Sequence, residues 1–231
     1  MQRDEAIRGS AVARTRLRIP RHVGLIPDGN RRWAGRRGLA RQDGYAAGIL
    51  PGLRLVEQCR ELGIAEMSIY GYTKENVHRP PSQVEAFRSA CVEFAERALL
   101  AGVALLVIGD QESESFPDAL RPLATKRSRG DVRVNLLVNY GWQWDLRVAV
   151  TDGLSRSGGR VDPLARLASR SVSRIDLVVR WGGRRRLSGF LPIQCAYADL
   201  YVIDTLWPEM RTEEFDAALS WYSQQEVTLG G

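Results

Sequence analysis

Short apolar runs recur along the chain, each closed by polar residues, at 23–26, 67–72, 104–108, 134–139, 175–180 and 200–203. Their length and their content of Val, Ile and Leu predict buried strands. Between them, apolar positions repeat at helical spacing and predict helices over about 46–62, 81–101, 114–126, 142–156, 163–170 and 211–225. One more helix is expected to start near Arg31 and run to about Leu39. Gly63, Gly102 and Gly130 fall where helices would end, the position at which glycine serves as a C-terminal cap. Strands separated by helix-length segments are the mark of βαβ crossovers. The pattern therefore predicts a single α/β domain with a mostly parallel six-stranded sheet flanked by helices.

Where the strands end, the chemistry changes. The first apolar run breaks at Pro27-Asp28-Gly29-Asn30-Arg31-Arg32-Trp33, which delivers a carboxylate and two guanidinium groups to the carboxyl edge of the sheet. Open α/β folds bind their ligands at that edge. Gly29 permits a sharp turn, and the arginines with the amides of a following helix suit phosphate. Asp28 then reads either as one ligand of a divalent metal, completed by substrate phosphate, or as a helix cap. The second run leads to Thr73-Lys74-Glu75-Asn76-Val77-His78-Arg79-Pro80. Its Asn76 and Arg79 either reach the same edge or serve the loop itself, and His78 reads as a solvated loop residue. The fifth run ends in Arg180-Trp181-Gly182-Gly183, followed by Arg186 and Ser188, where paired glycines allow close approach to phosphate. Asp199 stands just before the last strand and makes a minimal acidic pair with Asp28.

Composition narrows the ligand. The formal charge is +6, with 33 basic residues of which only Lys74 and Lys126 are lysines. Arginine favours bidentate phosphate recognition. The clusters at 31–37 and 180–186 form no helical stripe of the kind a nucleic-acid platform shows, so a diphosphate is expected and nucleic acid is not. Cys59, Cys91 and Cys195 are isolated, which supports neither a disulfide framework nor a zinc knuckle and points to the cytoplasm. The chain holds no apolar run near 18 residues, the length a membrane span requires. Residues 1–19 are expected to form a basic, frayed arm ahead of a domain over 20–231, with a presequence or peripheral contact with an anionic membrane as alternatives.

The segments HVGLIPDGNRRWA, YGYTKENVHRP, NYGWQWD, IDLVVRWGGRRRLSGF and AYADLYVIDTLWP, in that order, resemble the cis-prenyltransferase family of undecaprenyl diphosphate synthase. The likeness spans about 20–230. It implies a homodimeric enzyme with an apolar tunnel that couples isoprenyl diphosphates. By that resemblance Asp28, Asn30 and Asn76 are the catalytic residues. Gly29, Asn30, Arg32 and Arg41 would cradle the allylic diphosphate, Arg180, Arg186 and Ser188 would bind that of isopentenyl diphosphate, and Arg31, Trp33, Tyr45, Tyr72 and Arg79 would be further substrate-binding residues. Asp28 and Asp199 would hold Mg2+, Asp199 standing where the family usually has Glu.

Departures from the family pattern concern the second diphosphate. An Arg-rich tail is usual there, whereas this chain ends Gln225-Glu226-Val227-Thr228-Leu229-Gly230-Gly231. Tyr45 stands for a common His, Trp142 and Gln143 replace Gly-Arg, Trp181 replaces Thr and Arg184 replaces an acid. The compact stretch 81–107 implies a short tunnel and a C10–C20 product. Irregular coupling, or ionisation and cyclisation of one prenyl diphosphate, is the alternative use of the same site; a non-catalytic subunit is disfavoured by the intact arginines.

Overall fold

A computed structural model describes residues 18–155 and 162–226. The expected arm, except Arg18 and Ile19, and the C-terminal residues 227–231 lie outside the described residues. Six strands form one sheet: β1 (His22–Ile26), β2 (Glu66–Tyr70), β3 (Ala104–Ile108), β4 (Arg133–Leu137), β5 (Leu177–Arg180) and β6 (Asp199–Val202). Every pairing is parallel, in the order β3-β4-β2-β1-β5-β6. The helices are α1 (Asn30–Arg36), α2 (Asp43–Ala47), α3 (Ile49–Glu61), α4 (Pro81–Leu100), α5 (Arg121–Thr125), α6 (Trp142–Ser155) and α7 (Thr212–Ser223).

Side-chain alternation explains the layers. Val23, Leu25, Met67, Ile69, Val134, Leu136, Leu177 and Val179 face one apolar cluster, packed by α2, α3, α4 and α7. Ile26, Tyr70, Leu137 and Val178 face a second, with Phe190, Leu191 and Cys195. Both faces are covered, as a parallel sheet requires, and so its strands read as continuous apolar runs rather than alternating ones.

Helix boundaries differ from the sequence pattern for local reasons. The helix expected over 46–62 is two, because the backbone turns at Gly48, where a Cβ would lie 2.9 Å from the Trp207 ring. The helix expected over 114–126 reduces to a 3-10 turn and the short α5, with Pro117 and Pro122 at the starts of the two pieces. The pattern at 163–170 yields only a 3-10 turn, Pro163–Arg166.

The order of strands places the site. From β1 the chain moves to β2 on one side, and later returns to place β5 on the other, with Ile26 beside Arg180. A crevice opens outside the carboxyl ends of strands where the winding reverses in this way.

Candidate active site

Asp28 leaves the end of β1 through a backbone turn in which its N–H bonds Ile26 O at 3.0 Å. Gly29 follows at φ +118°, and a Cβ there would press on Leu206 at 2.9 Å. Only glycine meets both demands without strain. The carboxylate of Asp28 is shared by two guanidinium groups: Arg180 Nη2 donates to one oxygen at 2.9 Å and Arg32 Nη2 lies 3.2 Å from the other. Arg180 is the last residue of β5 and is buried at 4% exposure. It also donates to Ser188 Oγ at 2.9 Å and to the Arg186 carbonyl, while its buried Nε has no partner. A buried cation with an unused donor beside a cleft is suited to an anion that arrives later.

The segment after β5 folds back over the sheet. Gly182, Gly183, Ser188 and Gly189 all have positive φ, a run of left-handed backbone that costs about 1–3 kcal/mol at the non-glycine Ser188. Two anchors hold it: Phe190 packs on Gly24, where a Cβ would lie 2.5 Å from the ring, and Tyr70 Oη donates to Ser188 O at 3.1 Å. Burial pushes the Tyr70 phenol well above its ordinary value, reinforced by Glu75 and opposed by Arg180. Tyr70 therefore serves as a neutral donor.

The cleft bounded by these elements has a volume of about 860 Å³. Gly29, Asn30, Arg31, Arg32, Arg41, Tyr45, Asn76, Arg79, Arg180, Arg186 and Ser188 line it together with Asp28. Seven arginines, Arg184 included, thus face two acidic side chains, Asp28 and Glu75. Burial, then the neighbouring Arg79, pushes the Arg31 guanidinium below its ordinary value.

Asn76 sits in the 3-10 turn Lys74–His78, where its Oδ1 accepts from Thr73 N at 3.1 Å. Its amide nitrogen remains a donor for the cleft. Asn30 has the opposite endowment, since its Nδ2 donates to Pro27 O at 3.5 Å and its buried Oδ1 is unpartnered.

Three expected site residues are not brought to the cleft. Asp199 pairs with Leu177, which pairs with Val23. Ile26 is three residues and about 10 Å further along the strand direction than Val23, and Asp28 lies beyond it. Asp199 is therefore at the opposite edge, and the two do not form an acidic pair within one chain. Tyr72 is fully buried against the edge of Phe87, with ring centroids 5.8 Å apart. Trp33 lies on α1 beneath the Arg37 guanidinium, 4.9 Å from its ring centre, and does not line the cleft. Trp181 also proves to be a core residue, edge-on to Trp207.

Tyr70 and Phe87 line the cleft unannounced by any local spacing, and Trp142 and Arg184, which depart from the family pattern, line it as well. Trp142 is brought there by its approach to Gly189, where a Cβ would lie 2.8 Å from the indole.

At the end of β1 a divalent cation finds the Asp28 carboxylate, with Glu75 the other acidic side chain of the cleft, and no cluster of three His, Cys, Asp or Glu exists among the described residues. That set fits Mg2+, which commonly uses one or two carboxylates and completes its shell with substrate phosphate and water.

An apolar pocket of about 50 Å³ adjoins the cleft, sharing Pro27, Asn30, Tyr45, Tyr70, Gly71 and Phe87 with it. Sheet edge, cationic cleft and apolar recess together define an α/β protein built for an amphiphile with an anionic head. The family model described as putative undecaprenyl diphosphate synthase matches residues 26–230. A ditrans,polycis-undecaprenyl-diphosphate synthase of Pectobacterium atrosepticum is 33% identical over 92% of this chain and 90% of its own. An isoprenyl transferase of Aquifex aeolicus is 32% identical over 93% and 97%. In fold, the chain matches lavandulyl diphosphate synthase from Lavandula x intermedia, solved with dimethylallyl diphosphate, at a TM-score of 0.81 and 22% identity, covering 92% of this chain and 99% of that one. The chain belongs to the cis-prenyltransferase family of undecaprenyl diphosphate synthase and is a prenyltransferase.

Proposed function

We propose that the protein is a Mg2+-dependent synthase that joins an allylic diphosphate to isopentenyl diphosphate, forming a cis-prenyl diphosphate of C10–C20 and releasing pyrophosphate. The observation that carries this reading is the pairing of a seven-arginine cleft with an apolar recess of only about 50 Å³. The curated relatives named above include undecaprenyl enzymes; the small recess argues for a shorter product here.

Arg31, Arg32, Arg41 and Arg79 would bind the allylic diphosphate, and Arg180, Arg186 and Ser188 the homoallylic one. Asp28 is the residue to hold Mg2+, which when bound would neutralise charge on the departing diphosphate. Arg32 would flank that leaving group, and its stabilisation grows as the C–O bond breaks and charge collects on the phosphate, whereas the Asp28 carboxylate contributes as the ligand that would hold Mg2+. The tail lies toward Tyr45 and Phe87, which exclude water from the allylic cation. The π-electrons of the homoallylic alkene then form the new C–C bond, and a proton leaves the resulting cation. The Asn76 amide is too weakly basic to take it, so the proton passes to an acceptor such as pyrophosphate or a water held at Asn30 Oδ1.

The exposed side chains of Trp142, Leu146 and Val150 recur at helical spacing on α6. They support a homodimer. The three free, buried thiols suit a reducing cytoplasm.

Incubation with isopentenyl diphosphate, Mg2+ and C5, C10 or C15 allylic diphosphates, with products read by mass and double-bond geometry, tests the reaction. Short cis products dependent on both substrates are expected. Dominant products of eight or more units overturn the length, and pyrophosphate release from a single prenyl diphosphate without isopentenyl diphosphate overturns the coupling.

A further inference from the structure

The loop after β5 presents alternate side chains to the cleft. Arg184, Arg186 and Ser188 line it, whereas Arg185 does not and Leu187 packs on the second apolar cluster. A repeat of two is the side-chain period of extended backbone, so three donors stand in a row on one wall. Both ends of the row are fixed. Gly182 N donates to Thr205 O at 2.9 Å and Gly183 N to Ile203 O at 3.0 Å, which ties the start to the segment after β6. Arg32 Nη2 donates to Gly182 O at 2.8 Å from α1. At the far end Tyr70 Oη holds Ser188 O, and Trp142 rests against Gly189.

The cations of the cleft differ in what already engages them. Arg32 and Arg180 share the Asp28 carboxylate, Arg180 also bonds Ser188 Oγ, and Arg79 donates to Tyr45 Oη. Arg184 is exposed and has no ion pair among the described residues. It stands two places before Arg186 on the same wall. Where the family pattern has an acid, this chain therefore offers a guanidinium, a planar donor that can bond two phosphate oxygens at once.

We propose that Arg184 binds the solvent-side phosphate of the second, homoallylic diphosphate, so that this chain's own loop makes the acceptor subsite select a diphosphate over a monophosphate. The inference rests on the reading that Arg180, Arg186 and Ser188 hold isopentenyl diphosphate. Arg180 is buried at the end of β5 and Arg184 is exposed on the loop that follows. The inner phosphate meets Arg180 and Ser188, and the outer one meets Arg184. A monophosphate fills the inner place alone and leaves Arg184 without a ligand. The fixed backbone at Gly182 and Gly183 sets the base of the Arg184 side chain before any ligand arrives, which lowers the cost of ordering it.

The test is calorimetric titration of isopentenyl diphosphate and isopentenyl monophosphate into the full chain saturated with Mg2+ and the unreactive dimethylallyl thiolodiphosphate. Arg184→Ala is expected to weaken the diphosphate about ten- to hundredfold, the scale of losing charge-assisted hydrogen bonds, and to leave the monophosphate within about twofold. Arg185→Ala removes the same charge one residue away, outside the cleft-lining row, and should leave both ligands unchanged. Equal weakening by the two variants overturns the proposal, since net charge alone then accounts for it. Equal weakening of diphosphate and monophosphate by Arg184→Ala overturns it too, as does no weakening of either. Should the monophosphate bind too weakly to titrate, the contrast between the two variants decides alone. If Arg184→Ala fails to fold by circular dichroism, Arg184→Gln takes its place with the same expectation. A natural chain that binds isopentenyl diphosphate and couples it, beside an Arg184→Ala chain that binds it equally well, removes this proposal and leaves the coupling reaction standing. If the natural chain binds no isopentenyl diphosphate, both fall.

Discussion

Asp28 is held by two arginines in the structure, so its carboxylate is oriented before any ligand arrives. Asp28→Asn keeps the shape and can still accept a hydrogen bond from Arg180, but loses the charge that a metal needs. Turnover is expected to fall about 100-fold or more, the scale of losing an oriented electrostatic group, with little change in urea midpoint; pyrophosphate release against Mg2+ concentration measures it. Gly182 shows how tightly the same region is built. At φ +83° a Cβ would lie 2.8 Å from the Asp28 carbonyl and strike the Arg32 guanidinium. Gly182→Ala should cost about 1–3 kcal/mol in urea denaturation, and a change under 0.5 kcal/mol would show that the turn relaxes freely. Burial pushes the thiols of Cys59, Cys91 and Cys195 up to about 12. The thiolate is the reactive form, so iodoacetamide at pH 8 should leave all three unmodified in the native protein and label them after unfolding.

At the scale of elements, the loop after β5 is positioned by packing rather than by its own sequence. Phe190 rests on Gly24 of β1, and that glycine looks in the sequence like an ordinary weak point in a strand. Gly24→Ala should lift the loop, costing about 1–3 kcal/mol by overpacking and raising KM for isopentenyl diphosphate more than for the allylic partner. Equal changes in both KM values would show that the loop does not carry the second subsite. The 3-10 turn Lys74–His78 gives the complementary case. Its punctuation by Thr73 and Pro80 was legible, and its capping by Asn76 is a local bond. What remained hidden was that this bond orients the Asn76 amide by turning its oxygen to Thr73 N.

Across the whole molecule the two edges of the sheet have different chemistry. The carboxyl edge carries the cationic cleft, while the amino edge carries a buried network of His22, Ser68, Asn135, Ser173 and Glu66. Arg133 lies 2.5 Å from Glu66, Arg127 donates to Asn135 Oδ1 at 2.6 Å, and Asp176 accepts from His22 N at 3.0 Å. Burial holds the His22 imidazole below its ordinary value against the pull of Glu66. Burial works to raise Glu66, but His22, the bonds from Asn135 and Ser173, and Arg133 together outweigh it and hold the carboxyl low. Both groups have depressed native values, so the unfolded chain binds more protons than the native one in acid. Stability should therefore decline as pH falls through about 6.5, the ordinary histidine value, and decline further below about 4.5, where free Glu titrates. Urea midpoints from pH 8 to 4 measure this, and a flat profile would show that the network exchanges protons with solvent in the folded state.

The sequence alone determined the strands, most helices, the parallel α/β class and the cationic ends of β1 and β5, because those depend on local periodicity and on residues adjacent in the chain. Five motif segments also carried the family resemblance. Tertiary structure decided which of the candidates meet. Register put Arg180 beside Ile26 and sent Asp199 to the far edge, a distinction invisible to spacing because both aspartates border apolar runs. Burial took Tyr72 and Trp181 away from the cleft, and Trp33 lies half-buried beside Arg37 on α1; helix packing brought Phe87 and Trp142 to the cleft, and the loop after β5 brought Arg184. A strand's existence is written in its own residues; the neighbour it faces is set by crossovers and packing that couple residues far apart in the chain.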